Sequence, residues 1–279
     1  LFRSENMKKA IEDKIKTMDT LVDSGRIKQK DSEKIKVTEN VFDEATLKAL
    51  YTLSSKGIIE ALGGSISTGK EANVFLADGK DHSLAIKIYR INSSTFNSME
   101  DYIMGDPRFR DVRHTKKDIV FAWTKKEYRN LLRASEVGIK VPKPVITERN
   151  ILVMEFAGKD EKPYPLLKDV RLEETTAKKV FDMLIDYIKR LYMDAELIHA
   201  DLSEYNVLIE TELMEPILID MGQSVTLEHP KADQFLHRDI QNIVRYFKKY
   251  GIISNENDIY TFVTKEKKEH DHDSHQSTT

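Results

Sequence analysis

At 279 residues the chain exceeds one typical domain and is long enough to bury a substantial core. Apolar residues make up 40% and charged residues 33%, with both signs interspersed and a net charge of −3, so any basic binding surface must be local. The absence of cysteine excludes disulfides, thiolate metal sites and cysteine nucleophiles, and no apolar run approaches the roughly 18 residues of a spanning helix, which sets a cytoplasmic protein as the expectation.

In chain order, residues 1–40 are dense in Lys, Glu and Asp, with Ile11, Ile15, Met18 and Val22 at helical spacing. They read as one amphipathic helix followed by the polar linker SGRIKQKDSEK. A second short helix is predicted over 42–55, with Phe42, Ala45, Leu50 and Leu53 on one face. ANVFLADGKDHSLAIKIY then reads as two strands joined at Asp78-Gly79. In the second of these, Leu84, Ile86 and Ile88 share one face, and Ala85, Lys87 and Tyr89 the other. Residues 91–120 show no period and read as a long loop, which in a compact domain is usually functional or mobile. FAWTKKEYRNLLRASEVG predicts a helix stopped at Gly138, RNILVMEFAG a strand, residues 173–192 a long helix, EPILID a strand, and 232–250 a final helix. The tail KEKKEHDHDSHQSTT is polar and is expected to be disordered, so its alternating histidines are not read as a metal site.

GGSISTGKEA comes within one residue of a Walker loop. Glu71 stands where that motif needs a hydroxyl, and the strand-like ANVFLA follows where it needs a helix. A loop of small residues between two strands can still cradle phosphates with backbone N–H groups, as an ordinary hairpin turn can equally explain it. The stronger signal is a constellation in a required order. Lys87 of LAIK lies on the third strand, and a lysine on an inward face needs a partner, for which Glu127 is the candidate. HADLSEYN supplies Asp201 and Asn206 five residues apart, a carboxylate to accept a hydroxyl proton and an amide oxygen to hold a metal. LIDMG supplies Asp220 after a strand, with Gly222 two residues later. No A-P-E motif follows, only 59 residues remain, and Ala200 replaces the Arg of H-R-D. A peptide-docking half of a kinase C-lobe is therefore not expected.

STGKEANVF, LAIKIYR, WTKKEYRNL, VMEFAG, HADLSEYNVLI and LIDMGQSV together resemble the RIO family of atypical serine protein kinases over roughly residues 42–250, and STGKEA points to its Rio-one branch. The resemblance implies an α+β, compact two-lobed protein-kinase-like fold. Its parts would be an N-terminal helical extension (1–56), a β-rich N-lobe (57–153) with a flexible loop at 91–120, a reduced helical C-lobe (154–264) and the tail (265–279). It implies ATP with Mg²⁺ or Mn²⁺. Asp201 would be the proton acceptor, Asn206 and Asp220 the metal ligands, and Lys87 a phosphate contact held by Glu127. Ser67 and Lys70 would touch phosphates, Met154 would be the gatekeeper, and Glu155 and Ala157 would bind adenine through the main chain. Asp220 would be a site for an aspartyl phosphate in an ATPase cycle, and Ser93, Ser94 and Ser98 would be acceptors in autophosphorylation. Maturation of the small ribosomal subunit is the implied setting, with the cluster Arg108, Arg110, Arg113, Lys116 and Lys117 facing its RNA. A small-molecule phosphotransferase and a nucleotide-gated assembly factor are the alternatives. Trp123 is expected to pack the Glu127 helix onto its sheet.

Overall fold

A computed structural model describes residues 42–91, 96–109 and 112–265. The helix read over the first 40 residues, the polar tail beyond residue 265, Ser93, Ser94 and Arg110 lie outside them. Helix α1 (Glu44–Ser55) starts at Asp43, whose carboxylate accepts from the Thr46 N–H at 2.8 Å. It is followed by strands β1 (Ala61–Thr68), β2 (Ala72–Asp78) and β3 (Ser83–Tyr89). Beyond helix α3 (Lys116–Glu136), strands β4 (Pro144–Glu148) and β5 (Ile151–Glu155) complete an antiparallel sheet in the order β1-β2-β3-β5-β4.

The alternation in β3 decides what each face of this sheet does. Leu84, Ile86 and Ile88 join Phe75, Ala77, Ile151 and Val153 on the back face, where Ala49 and Leu53 of α1 bury against them. The register pairs Lys87 with Val74 and Leu152, and Ala85 with Met154, so these residues share the opposite, cleft-facing side. Asn150, in the β4–β5 turn, donates to Thr46 of α1 at 2.7 Å and to the Tyr89 carbonyl at 2.8 Å, which locks helix, strand and turn together.

Residues 91–120 depart from the expected featureless loop. They contain helix α2 (Phe96–Met104), a 3-10 turn (Pro107–Phe109) and the first turn of α3, capped by Thr115. The apolar spacing is there: Met99 and Ile103 are fully buried with Tyr89, Phe109, Ile119 and Trp123. Surrounding Ser, Asn and Asp residues dilute it below recognition in the sequence. Tyr102 stacks on Phe235 and His229 of the second lobe and meets Trp123 edge-on, so this insert touches both lobes.

The second lobe is built on helices α4 (Glu174–Met193) and α5 (Ala232–Phe247). Val180, Leu184, Ile188 and Leu191 of α4 are all buried, as their spacing predicts. Between the helices lie short antiparallel pairs. Strand β8 (Leu197–Ile198) pairs with β11 (Val225–Thr226), and β9 (Val207–Glu210) with β10 (Glu215–Leu218). A tight hairpin of β6 (Gly158–Lys159) and β7 (Lys162–Pro163) follows β5. A last helix, α6 (residues 256–265), docks through Ile259 and Val263. Ala85, Leu131, Leu152 and Met154 of the first lobe belong to the same buried cluster as α4 and α5, so one core runs behind the cleft.

Candidate active site

Strand β3 carries Lys87 to the floor of a cleft between the lobes, and α3 brings Glu127 beneath it. The Lys87 ammonium donates to Glu127 at 2.8 Å and to Asp220 at 2.9 Å. Burial opposes its charge, but two flanking carboxylates outweigh that and keep Lys87 protonated. Glu127 is buried and also accepts from the Tyr89 hydroxyl, and burial pushes it up to about 7 against the pull of Lys87. Asp220 has a side chain 49% exposed to the cleft, and Lys87 holds it below the usual carboxylate range.

The loop from β8 to β9 carries the second half. The Asn206 amide donates to both the Asp201 carbonyl (2.8 Å) and its carboxylate (2.9 Å). Burial raises Asp201 above the ordinary range, the Asn206 hydrogen bond works against that, and the nearby Asp220 charge adds to it. This half is anchored from outside the motifs. Asp239, buried on α5, accepts from the backbone N–H groups of Ala200 (2.8 Å) and Leu202 (2.9 Å), on either side of Asp201. Arg238 donates to the Ala200 carbonyl and Asn242 to that of Leu202 at 3.0 Å. These bonds hold Ala200 at φ 65°, a left-handed conformation that a non-glycine residue adopts only at a cost of about 1–2 kcal/mol. His199 is buried and its Nε2 lies 3.1 Å from the Ile219 carbonyl, which can only accept, so Nε2 carries the hydrogen.

The cleft has a volume of about 610 Å³ and is walled by the expected residues at both ends. Ser67 lines it from the end of β1 and Lys70 from the β1–β2 connection, where the Gly69 N–H closes a tight turn on the Ala72 carbonyl at 2.9 Å. Strand β2 follows directly, which is not the geometry of a Walker loop. Met154, Glu155 and Ala157 line the opposite wall. The Glu155 N–H is taken by the Lys143 carbonyl, and the Ala157 carbonyl by the Tyr164 N–H. The cleft thus gathers Ser67, Lys70, Lys87, Glu127, Met154, Glu155, Ala157, Asn206 and Asp220, with Asp201 hydrogen-bonded behind Asn206. Ser98 lies in α2.

Three features received no role from the motifs, although Tyr89 lies within LAIKIYR and Lys126 and Asn130 within WTKKEYRNL. Tyr89, on the same face as Lys87, was visible by alternation but has no motif role. Asp239 sits inside an amphipathic helix, where its only signal is a carboxylate among apolar neighbours. Lys126 and Asn130 are fully buried on α3 and hold the backbone after Asp220. Burial pulls the Lys126 amine down to about 7. Trp123 shares a buried cluster with Ala72 and Tyr89 of the sheet, and its indole lies against Gly222 and Tyr102. The basic cluster is also smaller than it reads. Arg108 is committed to the buried Asp106 at 2.6 Å and to Asn130 at 3.0 Å, whereas Arg113, Lys116 and Lys117 are exposed.

Oxygen donors alone, the Asn206 amide and the Asp220 carboxylate, face the cleft beside an amine that would meet phosphate. The Asn206 NH₂ is committed to Asp201, which leaves its carbonyl oxygen for a cation. Two hard ligands suit Mg²⁺ or Mn²⁺ that shares substrate phosphates. Among the described residues no cluster of three His, Cys, Asp or Glu side chains competes with that placement.

Known proteins share both the sequence and the fold. Residues 73–259 match the model of the RIO domain. The chain is 45% identical to RIO-type serine/threonine-protein kinase Rio1 of Haloferax volcanii, over 87% of this chain and 82% of that protein. Identity to Rio1 of Methanocaldococcus jannaschii is 39%, over 83% and 78%. It is 36% to serine/threonine-protein kinase RIO1 of Homo sapiens, over 90% of this chain but 46% of that longer protein. The structure of the Rio2 kinase-ADP/Mg²⁺-phosphoaspartate complex from Chaetomium thermophilum superposes with a TM-score of 0.59, covering 88% of this chain and 74% of that one at 23% identity, a likeness of fold. The domain match and the relatives agree with the geometry on one conclusion: the chain belongs to the RIO family of serine/threonine-protein kinases, in its Rio1 branch.

Proposed function

We propose that this chain is an ATP- and Mg²⁺-dependent atypical kinase that phosphorylates serine, itself included, and that also turns over ATP. The observation that carries the reading is the Lys87 ammonium shared between Glu127 and Asp220 across the two lobes. Such an amine is poised to meet the α- and β-phosphates once a nucleotide enters. In this reading Ser67 and Lys70 contact phosphates, Met154 is the gatekeeper, and the Glu155 carbonyl and Ala157 N–H bind adenine. Asn206 and Asp220 hold Mg²⁺, which supplies charge neutralisation on the phosphates. The Asp201 carboxylate takes the proton of the acceptor hydroxyl as its oxygen attacks the γ-phosphorus, and ADP leaves. The raised affinity of Asp201 for a proton suits it to that task.

The cleft exposure of Asp220 favours a second course, in which its own carboxylate is the acceptor and water then hydrolyses the acyl phosphate. The phosphoaspartate named for the Chaetomium Rio2 complex supports that course. Family membership supports a setting in maturation of the small ribosomal subunit, with Arg113, Lys116 and Lys117 as the exposed basic residues toward RNA.

The test is incubation with γ-labelled ATP and Mg²⁺ beside Asp201→Ala and Asp220→Asn. Acid-stable label on serine that both substitutions abolish is the expected result for the kinase. Hydroxylamine-labile label that needs Asp220, with phosphate release, identifies the ATPase course. Bound ATP without label or turnover overturns both in favour of a nucleotide-gated assembly factor, and label passed only to added small hydroxyl compounds favours a small-molecule phosphotransferase. Ser93, Ser94 and Ser98 are the proposed acceptors, and unchanged autophosphorylation after alanine replaces all three removes them.

A further inference from the structure

The Asp220 carboxylate is steered by Lys87, but the backbone that carries it is held by other residues. Asp220 itself stands at φ 62°, in the left-handed region, so its surroundings must enforce its conformation. The enforcing groups come from α3, on the turns around Glu127. The Lys126 amine donates to the Gly222 carbonyl at 2.8 Å and to the Ser224 carbonyl. The Asn130 amide donates to the Met221 carbonyl at 2.8 Å and to Ser224 at 3.1 Å. All of these donors are fully buried. Charged or neutral, the lysine has a hydrogen for each of its two carbonyls, so the arrangement does not depend on its protonation.

One further contact reaches outward. Arg108, in the insert, donates to the Asn130 side-chain oxygen at 3.0 Å, which turns both amide hydrogens toward the loop. Arg108 is in turn gripped by Asp106 through three nitrogen–oxygen contacts of 2.6–3.2 Å. A continuous hydrogen-bonded path therefore runs from the insert, through Arg108 and Asn130, to the residue after Asp220.

We infer that Lys126 and Asn130 are positioning residues for the metal-binding carboxylate of Asp220, and that Arg108 couples the insert to them. This rests on the reading of Asp220 as a metal ligand. A buried lysine and asparagine that merely fill a core would set stability alone. Residues that orient a ligand from behind also set metal affinity, typically by ten- to hundredfold.

The measurement is a Mn²⁺ titration of the whole chain with a non-hydrolysable ATP analogue, following free Mn²⁺ by electron paramagnetic resonance, with thermal melting alongside. Lys126→Met keeps the volume and removes the hydrogens, and Arg108→Gln releases Asn130 from the insert. The expected result is Mn²⁺ affinity weakened about tenfold in Lys126→Met and a smaller weakening in Arg108→Gln, measured well below a melting temperature that falls in each, with no proportion between the two losses. Wild-type Mn²⁺ affinity in folded variants overturns the inference, as does a loss that merely tracks melting temperature. Should Lys126→Met fail to fold, Arg108→Gln decides alone: unchanged Mn²⁺ affinity overturns the coupling and weakened affinity supports it. Wild-type protein whose nucleotide complex ignores Mn²⁺ would instead remove the metal-ligand reading, and this inference with it.

Discussion

His199 precedes the Ala200-Asp201 pair yet faces away from solvent, and burial pushes its pKa down to about 4. The folded protein therefore keeps it neutral where the unfolded chain, titrating near 6.5, takes up a proton. Its contribution is complete above pH 6.5 and is lost as pH falls from there toward 4, to the extent of about 3 kcal/mol. Urea unfolding of wild type and His199→Gln across that window should differ by this slope. The comparison is needed because buried Glu127 and Asp239, each raised to about 7, titrate there in the opposite sense. Gly222 offers a second check. A Cβ there would stand 2.8 Å from the Trp123 indole nitrogen and 3.0 Å from the adjoining ring carbon, and a buried indole cannot swing aside. Gly222→Ala should cost about 1–3 kcal/mol by overpacking. The same change in a Trp123→Leu background should cost less, which a double-mutant cycle in urea would register.

Helix α5 supports the loop around Asp201 through one carboxylate. Asp239→Ala would leave the N–H groups of Ala200 and Leu202 buried without an acceptor, at about 1–3 kcal/mol for each group. Unfolding midpoints should drop accordingly, and turnover should fall further than nucleotide affinity because the backbone around Asp201 is what loosens. Elements like α5 explain what was legible in the sequence and what was not. The long amphipathic helices, β2, β3 and β5 declared themselves by period, and the cleft-lining motifs by order and spacing. Strand β4 was hidden because Pro142 and Pro144 read as breakers, although a proline is tolerated at the first residue of an edge strand. Helix α2 was hidden by polar neighbours, and α6 by its shortness. Asp239, Lys126 and Asn130 were illegible for a different reason. Each bonds to backbone far along the chain, and a backbone partner leaves no residue-type signature at the other end.

At the scale of the molecule, the two lobes share a core behind the cleft and are bridged in front by the insert, whose Tyr102 packs against Trp123 on one side and Phe235 on the other. The sheet of the first lobe has its own division of labour, with one face turned to the cleft and the back face closed by α1. The match to the RIO domain model begins at residue 73, inside β2, and so leaves out both α1 and β1, although the 87% of the chain matched by the Haloferax relative takes them in. A boundary drawn there for expression would cut through a strand and uncover Leu84, Ile86, Ile88, Ile151 and Val153, an apolar plate with nothing left to shield it. The smallest autonomous folding unit must therefore reach back at least to Phe42, which packs on Phe75. Two truncated chains should separate cleanly by sedimentation: residues 42–265 as a monodisperse species, and residues 57–265 as aggregate. The stretch in front of the domain match is, in folding terms, the missing half of a hydrophobic sandwich.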